Sequence, residues 1–377
     1  MLGVEKRHLR PAFLFGVLAV FLSIPAIVIQ AQRRVRDLPP PPPLWKAKPT
    51  PTPTPPEKEV IDVIKTTSNL VMVPVSVTDR EGQAVQGLTK TDFSLQEEGK
   101  KQEIAEIGDP EQVPLAIALL FDISSSVSQK GFFQFQQNAA ATFLKQVMKP
   151  NDRAAVFTIA TQPTMVQPLS TAEVAAAKIV TIPPATTSVA TAFYDTVSAA
   201  AAYLETAPSQ YRRVIIVITD GDDNNSRRIV SIPNSEAAAS NNGQLRPAVA
   251  LASSQRRHQL AVGDVKQAAQ KADAIFYSVN PGGPSVRLNQ IAMRAEAGME
   301  AIAEATGGTA FIPDGEKDLE RVFRQVAAEL RGQYLLQYYG DSSVPATQFR
   351  RIEVSVPARA DVRVRARQGY YPKKQQD

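Results

Sequence analysis

Cysteine is missing from all 377 residues. That excludes disulfides, thiolate metal sites, cysteine nucleophiles and a lipid-modified cysteine together. It leaves the compartment open, because an exported protein need not carry disulfides. Histidine is almost missing as well, with only His8 and His258 present. A serine hydrolase needs a base, usually histidine. His8 precedes an apolar segment, and His258 stands in a polar stretch where a lone histidine reads as a surface residue. No GxSxG, P-loop or HExxH occurs, and Gly282-Gly283-Pro284 is a turn with no phosphate-loop lysine after it. A phosphoaspartate phosphatase would want an acid two residues beyond its nucleophile, and after Asp122 that position is Ser124. The sequence therefore predicts a protein that is not an enzyme, with a metal-dependent hydrolase as the weakest surviving reading.

Excess charge is also scarce outside one end. The net charge is +5, yet residues 1–50 hold eight lysines and arginines against Glu5 and Asp37. The remainder is near neutral, so nucleic-acid binding is not expected. The basic residues flank an apolar run, Pro11 to Ile29, broken only by Ser23. Residues 1–32 thus read as a secretory signal peptide or a membrane anchor, and the protein as exported, periplasmic or extracellular, or held on the inner membrane. Residues 33–67 form a proline-rich linker containing PPPPP and PTPTPTPP. Proline favours extended polyproline II, and at ~3.1 Å per residue the tract from Pro39 to Pro56 reaches roughly 55 Å.

Beyond the linker the chain reads as globular, in keeping with 44% hydrophobic residues over its whole length. Val71, Val73, Val75 and Val77 alternate with other residues, which is strand periodicity. Phe93 to Glu97 and Ile104 to Ile107 are further short strands. From Leu115 the pattern alternates between apolar strands (115–121, 152–160, 213–219, 274–279) and helical stripes. One such stripe is Phe132, Phe135, Ala139 and Phe143; another is Leu319, Val322, Phe323, Val326, Ala327 and Leu330. Residues 224–259 read as a long polar connection. Strand character returns at 334–338, 351–356 and 362–366. Alternation of strand and helix predicts an α/β fold with a doubly wound, mostly parallel sheet over 110–332. The segments 68–109 and 333–377 are predicted to pair into a small flanking β domain.

The functional signal lies where the first parallel strand ends. Asp122, Ser124 and Ser126 stand at alternate positions in Phe121-Asp122-Ile123-Ser124-Ser125-Ser126. Read alone, the stretch also suits a helix cap. Asp220 falls at the end of another strand, and ligands of open parallel sheets bind beyond such carboxyl ends. Carboxylates and hydroxyls are hard oxygen ligands that suit Mg²⁺ or Mn²⁺. Asp222, Asp223, Asn224 and Asn225 read as a solvated turn, and Asp195 as a structural helix residue.

Asp122-Ile123-Ser124-Ser125-Ser126 resembles the DxSxS motif of von Willebrand factor type A domains. Thr191 in VATAFYD and Asp220 in VIIVITDGDDN match the threonine and aspartate that complete the motif in that family. The segments LVMVPVSVTDREGQAVQGLTKTDFSLQEEGKKQEI and YLLQYYG…VRARQGYYP are similar to bacterial VWFA-related proteins, so the likeness spans roughly residues 68–372. Val189-Ala190 stand where the family often has Gly-Gly. The resemblance implies a metal-ion-dependent adhesion site with Asp122, Ser124, Ser126, Thr191 and Asp220 around Mg²⁺ or Mn²⁺. In it the serines and Thr191 bind the metal directly or through water, and the aspartates stand further out. It implies a protein ligand that supplies an Asp or Glu to the metal. The rival expectation is a non-adhesive envelope scaffold.

Overall fold

The computed structural model describes residues 69–128, 133–231, 247–284, 289–315, 318–341 and 343–373. The chain divides into two units, Met1–Val63 and Ile64–Asp377, and every described residue belongs to the second. The segment read as signal or anchor and the proline-rich linker lie outside the described residues. Among the described residues no helix is long and apolar enough to cross a membrane.

The chain enters through β1 (Asn69–Thr78), β2 (Ser94–Glu97), β3 (Lys100–Gln102) and β4 (Glu106–Gly108). It then builds an α/β unit from β5 (Leu115–Asp122), α1 (Ser125–Ser128), α2 (Phe133–Val147), β6 (Arg153–Ile159), β7 (Thr164–Ser170), α3 (Ala172–Val180), α4 (Phe193–Glu205), β8 (Arg212–Ile218), α5 (Arg227–Val230), α6 (Pro247–Lys271), β9 (Ala274–Val279), α7 (Gln290–Thr306), β10 (Ala310–Phe311) and α8 (Leu319–Gly332). It closes with β11 (Tyr334–Gly340), β12 (Arg350–Ser355), β13 (Arg363–Ala366) and β14 (Gly369–Tyr370).

The central sheet has the order β10-β9-β8-β5-β6-β7. All its pairings are parallel except that of the edge strand β7 with β6. Every residue of β5 is buried, as a strand covered on both faces requires. Its side chains alternate between two cores. Leu115, Ile117, Leu119 and Phe121 face α2, α3 and α8. Ala116, Ala118 and Leu120 face α4, α6 and α7, where the small alanines accommodate Phe193 and Tyr194. The fold is the doubly wound arrangement that the alternation predicts.

The flanking strands form two antiparallel sheets, β13-β1-β11-β4 and β14-β12-β2-β3. Both contain chain from before and after the α/β unit, alternating strand by strand in the first and meeting at the β2–β12 pair in the second. β1 pairs with β11 and β13, and β2 pairs with β12. The four alternating valines of β1 share a core with Leu95, Leu336, Tyr338 and Ile352.

Two sequence expectations need correction. Residues 224–259 are not one polar connection, because α5 and the first half of the 25-residue α6 lie within them. In α2, Phe135 is exposed, and Phe133, Ala140, Phe143, Leu144 and Val147 face the core. Phe132 lies outside the described residues.

Candidate functional site

β5 and β8 are neighbours, paired as far as Phe121 with Ile218. One step further on each stand Asp122 and Thr219, at the carboxyl end of the sheet. Asp122 is fully buried. Its Oδ1 accepts the Ser124 backbone N–H at 2.7 Å, and its Oδ2 accepts the Thr219 hydroxyl at 2.5 Å. Burial pushes the Asp122 carboxyl up to about 6, opposed by the Ser124 and Thr219 bonds and reinforced by the negative charge of Asp220. The arrangement holds Asp122 in one orientation, with both oxygens engaged.

Asp220 follows Thr219 directly. Its Oδ1 is buried and has no hydrogen-bond partner among the described residues. A buried carboxylate oxygen with nothing to bond is rare in folded proteins and costly. Gly221 then turns the chain with φ +74°, and its N–H bonds back to the Thr219 hydroxyl at 2.9 Å. A Cβ at this glycine would lie 2.7 Å from the Met299 Cε.

Thr191 is buried in the loop before α4. Its N–H donates to Asn224 Oδ1 at 2.8 Å, and its carbonyl accepts the Asn224 and Asn225 N–H groups at 3.1 and 3.0 Å. The loop is tied to the Asp122 turn through Ser125, whose hydroxyl oxygen accepts the Val189 N–H at 2.9 Å and donates to the Thr187 carbonyl at 3.2 Å. Neither Val189 nor Ala190 has positive φ. The loop is therefore built without the left-handed backbone that a Gly-Gly pair would offer. The turns carrying Asp122 and Ser124, Thr191, and Asp220 thus converge at one end of the sheet. Ser126 has its backbone in α1, and its side chain lies outside those described.

These donors are all oxygens, two of them carboxylates. Among the described residues no group of three or more His, Cys, Asp or Glu side chains is placed to hold a metal ion. A cation here would rest on two carboxylates and on hydroxyls. The unpartnered Asp220 oxygen beside the buried Asp122 fits such an ion, because a cation relieves both the missing bond and the like-charge repulsion.

Two readings of nearby residues are corrected. Asp223 is not part of a solvated turn. It is buried and accepts four bonds, from the N–H groups of Tyr194 (2.8 Å), Asn225 (3.1 Å) and Ser226 (2.9 Å) and from the Ser226 hydroxyl (2.6 Å). Burial raises its carboxyl, and the Ser226 bonds oppose the rise. It holds the start of α4 to the loop after β8. His258 is not a surface residue either. It is 5% exposed, and its Nδ1 lies 3.3 Å from the Tyr194 hydroxyl. Burial, with Arg294 and Arg257 nearby, pushes its imidazole down to about 4. The signal was available in α6, where position 258 continues the buried stripe 261, 265, 269 and 272. Asp195 has the structural role expected, accepting the Arg227 backbone N–H and Nε at 3.0 and 3.2 Å.

Residues 117–222 match the family model of the von Willebrand factor type A domain. No curated protein gives a match. Among solved structures, the chain is similar to a von Willebrand factor type A protein from Catenulispora acidiphila, with 14% identity over 71% of this chain and 51% of that one, at a TM-score of 0.41. It is similar to the PilB minor pilin from Streptococcus sanguinis, with 14% identity over 59% and 62% of the two chains, at 0.42. It is also similar to the vWF domain of the type V pili tip protein Mfa5 from Porphyromonas gingivalis, with 13% identity over 57% and 94%, at 0.40. The chain spans about half the length of the Catenulispora protein.

Proposed function

We infer that this chain is a metal-dependent protein-binding module of the cell envelope, because residues 117–222 match the model of the von Willebrand factor type A domain, a class of domain that generally mediates contacts between proteins. The observation that carries the reading is the buried Asp220 Oδ1 without a partner, next to a fully buried Asp122. In this reading Ser124, Ser126 and Thr191 hold Mg²⁺ or Mn²⁺ through their hydroxyls, and Asp220 supplies charge. Asp122 orients the Ser124 turn through its bonds to Ser124 and Thr219. The cation supplies an electrophilic centre that accepts a carboxylate from the partner. The chain binds and does not catalyse. The basic and apolar residues of 1–32 support export, and the proline tract supports display at a distance from a membrane.

The test is thermal melting of the purified protein with EDTA and with Mg²⁺ or Mn²⁺. A ligand that binds only the folded state raises the melting temperature. Wild type is expected to show that rise and Asp220→Asn to lose it. In EDTA Asp220→Asn is expected to melt no lower than wild type, because it removes repulsion from Asp122. Equal shifts in the two proteins would sink the reading. One observation favours a metal-free assembly module instead, namely that both Asp122 oxygens are already bonded within the chain. Partner binding that persists in EDTA would select that alternative.

A further inference from the structure

A cleft of about 610 Å³ opens at the other end of the central sheet, where the amino ends of β8 and β9 meet β1 and the C-terminal strand β14. This volume is in the range of small-molecule sites. Its walls are largely apolar and aromatic, with Leu70, Val113, Tyr211, Ile275 and Tyr371 among them. Its charges are lopsided. Arg212, Arg213, Arg367 and Lys373 line it, and Asp273 is the one acid in the lining. That acid is already engaged, since its carboxylate accepts Arg367 Nη1 at 2.6 Å and pairs with Lys373.

Among the described residues neither of the two adjacent arginines forms an ion pair within contact distance, and the carboxylates that act on them, Asp152 and Glu111 for Arg212 and Asp273 and Glu205 for Arg213, act from further off. Arg213 is 4% exposed and donates only to the carbonyls of Ala272 (3.1 Å) and Ala207 (2.7 Å). Arg212 is 7% exposed and donates to the carbonyls of Leu330 and Pro110 and to Gln333 Oε1. The Nε of each has no hydrogen-bond partner there either. Carbonyl dipoles offset only part of the cost of burying a cation, and low-dielectric walls strengthen the attraction that remains. Burial pulls both guanidinium groups below their ordinary value, and the nearby acids oppose that fall without cancelling it.

We propose that this cleft is a binding site for a small organic anion with an apolar body, an aryl or alkyl carboxylate or sulfonate. The apolar body lies along the Tyr211 and Tyr371 walls, and the anionic end compensates the lining cations. None of these residues belongs to the candidate metal site, so the two sites are tested independently.

The probes are 1-anilinonaphthalene-8-sulfonate and its uncharged counterpart N-phenyl-1-naphthylamine, titrated into the full chain and followed by fluorescence and calorimetry. The expected result is one sulfonate per chain, bound at least about tenfold more tightly than the neutral probe. Lys373 is an exposed rim residue, 43% accessible. Lys373→Glu is expected to weaken the sulfonate about tenfold and leave the neutral probe within about twofold. Tyr371→Ala is expected to weaken both probes alike, and Lys178→Glu, on α3, to change neither. Equal affinity for the two probes, several weak sites per chain, or a Lys373→Glu protein that binds the sulfonate like wild type would each overturn the proposal.

Discussion

Thr219 donates its hydroxyl to Asp122 across two neighbouring strands at 2.5 Å, with both side chains buried. The same hydroxyl oxygen receives the Gly221 N–H. Thr219→Val keeps the shape of the side chain and removes both bonds, leaving a buried carboxylate oxygen and a backbone N–H unpaired. The expected loss is about 2–4 kcal/mol in urea unfolding, and Thr219→Ser should recover most of it. A loss within experimental error would mean that the hydroxyl does not hold Asp122.

His258 gives the fold a pH dependence whose direction follows from burial. The unfolded chain takes up a proton at about the ordinary 6.5, and the folded chain only near 4. Between those values the unfolded state binds more protons, so stability falls as pH drops through the window and is unaffected above it. The groups facing the imidazole, Tyr194, Arg294 and Arg257, supply no acid to reverse the effect. The contribution is at most about 3 kcal/mol across the window. Unfolding free energies of wild type and His258→Gln, measured at pH 7 and pH 4.5, should differ in slope, with the variant showing the shallower dependence.

Asp222 and Asp223 are adjacent acids with different duties. Asp223 accepts four hydrogen bonds and ties α4 to the loop after β8. Asp223→Ala strands three N–H groups and is expected to cost about 3 kcal/mol or more. Asp222 is half-buried and raised by burial and by Asp220. Asp222→Ala is expected to change stability by less than about 1 kcal/mol. Calorimetric melting of the two variants in EDTA separates them.

Gly221 is required for two reasons at once, its φ of +74° and its approach to Met299. Gly221→Ala is expected to cost about 1–2 kcal/mol from the backbone alone, and more from the contact. Met299→Ala relieves only the contact. The double variant should therefore be more stable than the sum of the two single losses predicts, by about 1 kcal/mol. Strict additivity would show that the methionine yields freely.

The legible parts of the molecule were those where one residue pattern admits one structure. The apolar run 115–121 ends in Asp122, and VIIVIT ends in Asp220, so strand ends and candidate ligands could be read together. The stripe of α8 was equally clear, because Leu319, Val322, Phe323 and Val326 are large and evenly spaced. The first half of α6 was harder to read, because its buried positions there are the polar Ser253 and His258, and the stripe they share with Ala261, Val265 and Ala269 runs among arginines, glutamines and serines. Small side chains against a sheet bury fully and signal weakly. In α2 the phenylalanines at 132, 133 and 135 admit more than one inward face, and only the packing against Phe121 and Phe323 selects 133 and 143. The role of Thr219 was invisible for another reason. A threonine closing a β-branched run looks like one more strand residue, and its partner is 97 positions away.

The interleaving of the flanking sheets has a consequence for how the protein is made. Val75 pairs with Tyr334 on one side and with Ala366 on the other. A ribosome releases β1 and β2 early, and their partner strands only after the whole α/β unit has been synthesised. The inserted unit has its sheet and both cores to itself, so it needs no strand that emerges later in order to close. Until β11 emerges, Val71, Val73, Val75 and Val77 leave an apolar face without its partner strand, and such exposed surface is prone to association. Nascent chains arrested before residue 334 should therefore depend on a chaperone that shields β1, and release past Tyr370 should end that dependence.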